Sequence, residues 1–100
     1  MKFNYRLAKS ARRNPQEISD YWTTKVGPES AVRIVAEIFE TIITLSEQPA
    51  AGVAAGQFGV GVRKLPAGKY LVYYRRFRTK GVEILHVFHG ARDQRKAWKE

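Results

Sequence analysis

The sequence predicts an α+β fold with the element order β-α-α-β-β-β, in which an antiparallel sheet packs against an N-terminal helical hairpin. Three observations predict it: a short alternating segment near the start, two segments with helical spacing, and three later apolar runs joined by short glycine-containing connections. An apolar sheet face must be covered, so the helices are expected on one face. The chain of 100 residues suits a single domain spanning residues 1–100.

The N-terminal elements follow from local patterns. The segment "FNYRLAK" places its larger apolar residues at every second position and predicts a strand. Asn14 is expected to cap the first helix, because Pro15 suits a first helical position and Glu17 stands three residues after Asn14.

Two helical segments meet at Gly27-Pro28. The first presents an apolar face at Ile18, Tyr21 and Trp22. The second has apolar residues at a spacing of three and four: Ala31, Ile34, Val35, Ile38, Phe39, Ile42 and Leu45. Because glycine tolerates the end of a helix and proline fits a first turn, the pair predicts an antiparallel hairpin that ends at Pro49.

The second half of the chain predicts a loop and three strands. Residues 49–61 are rich in glycine and are expected to form a mobile loop. The strands are "VGVRKL", "KYLVYYRRF" and "GVEILHVFH", joined by hairpins. In the last two strands both alternating faces are apolar, which is typical of central strands covered on both sides. The helices cover one face, and either the C-terminal tail or a partner covers the other.

The charge is large and uneven. The chain carries 18 basic and 9 acidic side chains, a net charge of +9. Residues 1–14 contribute +5, residues 15–59 contribute −4 and residues 60–100 contribute +8. Basic ends that meet in the fold favour nucleic acid or an acidic protein as partner.

The composition excludes several classes of site. The absence of cysteine excludes disulfides and cysteine-based zinc sites, and two histidines make a metal site improbable. No cofactor is expected. No apolar stretch suits a signal peptide or a membrane span, so no membrane partner and a cytoplasmic location are expected.

The candidate partner-binding surface is basic and lies around the hairpin turns. The alternative is a solvated hairpin whose charges protect an edge strand. Trp98, in an otherwise polar tail, either anchors an interface or folds back onto the sheet. The candidate residues are Arg63, Lys64, Arg75, Arg76, Arg78, Lys80, Arg92 and Trp98.

The segment "HVFHGARD" (residues 86–93) offers two histidines beside Arg92. A histidine suits acid–base work near neutral pH. His89, at the end of the strand, is more simply explained by a hydrogen bond to the turn. His86 is placed in mid-strand on the face of Ile84 and Phe88, as a satisfied core residue.

Six stretches, in order over residues 3–93, resemble the RelE/ParE superfamily of toxins from type II toxin–antitoxin systems. They are "YRLAKSA", "EISDYW", "GPESA", "LSEQP", "GVRKLPAGKYLVYYR" and "VEILHVFHGARD". The ending "HGARD" favours the ParE branch. Asn14-Pro15 departs from the family's usual acidic-then-apolar pair. The resemblance implies that RelE-like members cleave messenger RNA on the ribosome, that ParE-like members bind DNA gyrase, and that an antitoxin with a disordered, often acidic segment neutralises both.

The RelE branch is implied to use five positions for cleavage, and this chain keeps two. Of the lysine pair, Val62 replaces one and Lys64 is kept. Tyr70 replaces an arginine, Arg92 is kept, and Trp98 replaces a tyrosine. If the chain were a ribonuclease, Lys64 and Arg92 would therefore be its catalytic candidates, without the acid–base groups that 2′-hydroxyl attack needs.

The resulting hypothesis is a non-catalytic toxin that inhibits DNA gyrase and binds a small cognate antitoxin through an acidic segment, with which it could form a hetero-oligomer. The alternatives are a ribosome-dependent messenger-RNA endoribonuclease, a non-toxic family member, and a plain nucleic-acid-binding module. The last explains the charge but not the family pattern.

Overall fold

The computed structural model describes residues 4–77, residues 81–91 and Trp98. Two helices pack against one face of a five-stranded sheet with the strand order β1-β5-β4-β3-β2, so the α+β class and the helical hairpin are confirmed. The elements are β1 (Tyr5–Leu7), α1 (Asn14–Lys25), α2 (Pro28–Glu47), β2 (Val53–Ala54), β3 (Arg63–Ala67), β4 (Tyr70–Arg76) and β5 (Val82–His89).

The two helices are joined through Gly27, whose φ of 144° is a conformation that side-chain-bearing residues rarely adopt. Proline then occupies the start of α2, where its missing N–H costs no helical hydrogen bond. Neither helix in the described part of the chain combines the length and apolar character that crossing a membrane requires.

The sheet is mixed, which differs from the predicted antiparallel arrangement. Strands β2 to β5 are antiparallel neighbours, whereas β1 pairs with β5 in parallel, with Tyr5 opposite Val82 and Leu7 opposite Ile84. Short glycine turns indicate the direction of hairpin-linked strands. Because the helical hairpin separates β1 from the other strands, no short turn in the sequence indicates whether β1 runs parallel or antiparallel to its neighbour.

The chain that follows β1 completes the edge of β5. The Ser10 hydroxyl donates to the Leu85 carbonyl at 2.7 Å, and the Val87 N–H donates to Asn14 Oδ1 at 3.1 Å. The predicted role of Asn14 as helix cap is therefore wrong. It is the first residue of α1, and its side-chain oxygen binds a backbone group that β1 is too short to reach.

The segment predicted as an irregular loop contains a strand. Val53 pairs with Lys64, and residues 56–58 form a 3₁₀ turn. Two strand residues are too few to produce a period-two pattern, so alternation could not predict β2.

Both faces of the sheet carry buried side chains. The inner face, turned toward α1 and α2, packs on the helices through a cluster that includes Ile38, Ile42, Leu45, Val72, Tyr74, Val82, Ile84 and Val87. The outer face, turned away from the helices, carries a smaller cluster: Ala55, Val62, Tyr73 and Phe88, with Phe58, Leu71, Leu85 and Trp98 beside them. The prediction that the two central strands are covered on both faces is confirmed.

Candidate functional site

A bulge in β5 decides which side chains reach the outer face. The register between β4 and β5 shifts at Leu85, which has no partner in β4. A bulge residue reverses the alternation that follows it. Ile84 therefore belongs to the inner cluster, while His86 stacks on Phe88 of the outer cluster. The prediction that His86 shares a face with Phe88 is confirmed, whereas the prediction that it also shares a face with Ile84 is wrong.

Five rings form an aromatic cluster on the outer face. The Trp98 ring centroid lies 4.3 Å from that of His86 and 4.8 Å from that of Phe58. The His86 ring is also stacked on the Phe88 ring, with 4.7 Å between the centroids, so it packs against two aromatic rings, those of Phe88 and Trp98. Trp98 is half-buried here, which supports the expectation that it folds back onto the sheet. The cluster consists of Phe58, Tyr73, His86, Phe88 and Trp98.

The two groups in this cluster that could exchange protons are both buried. Tyr73 is 1% exposed and His86 is 8% exposed. Burial raises the pKa of the Tyr73 phenol, because the charged phenolate loses its hydration. Tyr73 therefore stays protonated at neutral pH.

Next to the aromatic cluster, a row of three charged residues crosses β1, β5 and β4. Arg6 and Glu83 are register partners, as are Glu83 and Arg75. Arg6 Nε donates to Glu83 Oε2 at 2.8 Å, and its Nη2 donates to the same oxygen. Arg75 donates from Nε to Glu83 Oε1 at 3.0 Å, and its Nη2 lies 2.9 Å from that oxygen. We call these three residues the arginine row.

The carboxylate at the centre of the arginine row is buried, while the arginines are not. The side chain of Glu83 is 4% exposed, against 55% for Arg6 and 53% for Arg75. Burial acts to raise the pKa of Glu83, but the hydrogen bonds and charges of the two guanidinium groups outweigh it, so the net pKa is lowered. The Arg6 guanidinium also lies over the Phe77 ring at 4.0 Å.

Three of the predicted partner-binding residues lie on the outer face. Lys64 is the register partner of Tyr73, and Arg75 belongs to the arginine row. Trp98 is the third. Lys64 and Trp98 therefore neighbour Tyr73 of the aromatic cluster. Arg75 lies two residues further along the same face of β4.

Other predicted residues lie elsewhere. Arg76 is the register partner of Val82, which places it at the end of the inner face. Arg63 donates to the Gly52 carbonyl at 2.6 Å and thereby holds the segment after α2. Arg78, Lys80 and Arg92 lie outside the described residues.

His89 lies on the opposite side of the sheet from Lys64. Its Nδ1 accepts a hydrogen bond from the Ala91 N–H at 3.1 Å, and its ring meets the edge of Tyr70 at 5.3 Å. The expected hydrogen bond to the turn is present. Because the sheet separates the two side chains, they do not form one acid–base site.

Sequence reasoning missed the arginine row. The alternating pattern places Arg6 in a strand but indicates neither its partner nor a role for Glu83. One signal was available: an acidic residue in the apolar run "VEILHV" needs a cation when the strand is central. Within the described ranges, no three histidine, aspartate or glutamate side chains cluster so as to hold a metal ion.

Comparison with known proteins agrees with this architecture. The family model described as "ParE toxin of type II toxin-antitoxin system, parDE" matches residues 5–94. Toxin ParE1 of Caulobacter vibrioides is 30% identical over 89 residues, covering 88% of this chain and 93% of that protein. Toxin ParE1 of Mycobacterium tuberculosis is 27% identical over 93 residues, covering 93% and 95%.

A solved structure, described as the chromosomal ParDE TA system from P. aeruginosa, shares the fold. The TM-score is 0.72 at 22% identity, over 87% of this chain and 95% of that one. The family match covers nearly the whole chain, including both helices and all five strands. The chain therefore belongs to the ParE toxin family of type II toxin–antitoxin systems.

Proposed function

We propose that this toxin inhibits DNA gyrase by binding to it, without carrying out a chemical step, and that a cognate antitoxin with an acidic segment neutralises it. Membership of the ParE family supports this proposal, because the resemblance to the ParE branch implies gyrase as target. The net charge of +9 supports an acidic partner, since opposite charge steers association and orients the complex.

The burial of His86 and Tyr73 is the observation that carries the non-catalytic part of the proposal. RNA cleavage by 2′-hydroxyl attack needs a base that reaches the nucleophile and an acid that reaches the leaving group. His86 packs on the aromatic rings of Phe88 and Trp98, and burial, which raises the pKa of the Tyr73 phenol, makes it a weaker proton donor. Neither group is placed to transfer a proton to a bound RNA.

The remaining candidates for chemistry are cationic or distant. Lys64 lies on the outer face as the register partner of Tyr73, where its positive charge could contact a phosphate. His89 lies on the other side of the sheet, with Nδ1 engaged by the Ala91 N–H. These positions favour binding over cleavage.

Two assays on the purified chain test the proposal. We expect gyrase to lose its ability to supercoil relaxed plasmid as the toxin is added, and messenger RNA in a translating extract to stay intact. Cleaved messenger RNA with unaffected supercoiling would instead identify a ribosome-dependent ribonuclease. A His86→Phe variant keeps an aromatic ring in the cluster and lacks the imidazole, so it should inhibit gyrase as the unmodified chain does.

A further inference from the structure

The arginine row contains one more cation than its carboxylate neutralises. Glu83 is the register partner of both Arg6 and Arg75, and the three side chains carry a net charge of +1. One arginine neutralises the charge of the carboxylate, and the other satisfies the hydrogen-bonding capacity of its second oxygen. The second guanidinium therefore also brings a positive charge that Glu83 does not neutralise.

Each arginine contacts Glu83 through one edge of its guanidinium. The contacts of Arg6 and Arg75 use Nε and Nη2. The Nη1 groups take no part in these contacts, and about half of each arginine side chain is exposed to solvent. The two guanidinium groups thus flank the Glu83 carboxylate, each oriented by it and each with donors that these contacts do not use.

We infer that the arginine row is an anion-recognition site that binds a carboxylate side chain in the acidic segment of the antitoxin. The guanidinium donors form a planar fork that matches a carboxylate. Glu83 fixes both side chains before the partner arrives, so less conformational entropy is lost on binding. This inference rests on the proposed neutralisation by an acidic antitoxin, and it names the residues that bind a negatively charged group of that antitoxin.

The surroundings favour a peptide over a nucleic acid as the occupant. Tyr73 precedes Arg75 by two residues on β4, so the aromatic cluster begins about 7 Å along the same face. An amphipathic peptide presents apolar side chains and carboxylates together, so it can contact the arginines and the partly exposed rings of the cluster, Phe58 and Trp98. A nucleic-acid duplex keeps its bases stacked inside and presents its phosphates, so it would use only the cations.

Replacing Glu83 by glutamine separates two explanations by the sign of the effect. The Glu83→Gln variant raises the net charge from +9 to +10, because one negative charge is removed. If the surface attracted the antitoxin only through its overall charge, binding would tighten. If the held orientation of the arginines matters, binding should weaken about tenfold. Glu40→Gln makes the same change of charge at an exposed position on α2 and serves as the matched control.

The probe is a synthetic peptide that carries the acidic segment of the cognate antitoxin, with a second peptide in which glutamine and asparagine replace its acidic residues. Isothermal titration should show that Glu83→Gln weakens binding of the acidic peptide but not of the neutral one. Equal or tighter binding of the acidic peptide by Glu83→Gln would overturn the inference, and so would failure of the unmodified toxin to prefer the acidic peptide.

Arg75→Lys provides a second test that keeps both Glu83 and the net charge. A lysine lacks the planar fork, so the acidic peptide should bind about tenfold more weakly. Arg33→Lys, on the exposed side of α2, is its control and should leave binding unchanged. Unchanged affinity in a folded Arg75→Lys variant would overturn the inference even if Glu83→Gln failed to fold. Supercoiling by gyrase, measured with the same proteins, reports separately on the proposed function.

Discussion

The hydroxyl of Tyr74 accepts a hydrogen bond from the backbone N–H of Gly52 at 2.9 Å. The same hydroxyl donates to the Pro49 carbonyl at 2.7 Å, so a residue of the central sheet holds both ends of the turn that follows α2. Gly52 has no room for a larger residue, because a Cβ there would lie 2.6 Å from the Tyr74 oxygen. This contact sets the position from which β2 begins.

Replacing Tyr74 by phenylalanine should destabilise the fold. Tyr74 is fully buried, so the variant leaves a buried N–H and a carbonyl without their partner, at a cost of about 1–3 kcal/mol in the free energy of unfolding. Urea denaturation would measure the loss. Tyr21→Phe, at an exposed position, should change stability little, and equal stability of the two variants would contradict this role for Tyr74.

The contribution of Glu83 to stability should depend on pH. The pKa of Glu83 is lowered in the folded state, so the ionised carboxylate stabilises the fold at pH values above the ordinary glutamate pKa of about 4.3. This stabilisation is lost as the pH falls from that value through the lowered pKa of Glu83 in the folded state. At pH 7, Glu83→Gln should be about 1–3 kcal/mol less stable than the unmodified chain.

Urea denaturation at a series of pH values checks this prediction. The difference between Glu83→Gln and the unmodified chain should shrink steadily as the solution is acidified from pH 5. Glu40→Gln, which removes the same charge at an exposed position on α2, is the matched control. A difference that is constant with pH would mean that the charge of Glu83 does not stabilise the fold.

Trp98 should contribute to stability as well as to any interface. Its ring packs on His86 and Phe58, so Trp98→Ala is expected to lower the free energy of unfolding by about 1–2 kcal/mol, less than for a fully buried tryptophan. Val60→Ala, at a fully exposed residue, is the control. An unchanged melting temperature for Trp98→Ala would show that the Trp98 ring does not pack on the outer face in solution.

An acidic antitoxin peptide should stabilise the toxin by mass action. A ligand present at one hundred times its Kd adds about 2.7 kcal/mol to the free energy of unfolding. For a domain of this size, that corresponds to an increase of about 10 °C or more in the melting temperature. Thermal melts with and without the peptide measure the effect, and an unchanged midpoint at saturation would count against neutralisation by that peptide.

Local patterns predicted most of the fold. The apolar spacing of α2 and the turn signals around Gly27 and Gly68 depend on neighbouring residues, so they can be read directly from the chain. The direction of β1 could not be predicted, since it depends on pairing with Val82 and Ile84 at the other end of the sequence. The bulge at Leu85 also escaped prediction, because its residues continue an ordinary strand pattern.

The candidate site was predicted less completely for the same physical reason. The basic residues near the hairpin turns are visible as a charge cluster, and Lys64 and Arg75 do share the outer face with Trp98. The arginine row joins Arg6 to Glu83 across 77 positions of sequence, a contact that only the parallel pairing of β1 with β5 creates. Counting the charges along the sequence gives only the composition, whereas the register of the strands decides which charged side chains come into contact.

A supercoiling assay with the unmodified chain is the sharpest test of whether this toxin inhibits gyrase by binding. Relaxed plasmid, gyrase and ATP are incubated with increasing toxin, and the topoisomers are separated on an agarose gel. Supercoiled product should disappear as toxin is added and return when the cognate antitoxin is supplied. Full supercoiling at a toxin concentration well above that of gyrase, with a toxin shown to be folded by its cooperative thermal melt, would contradict this expectation.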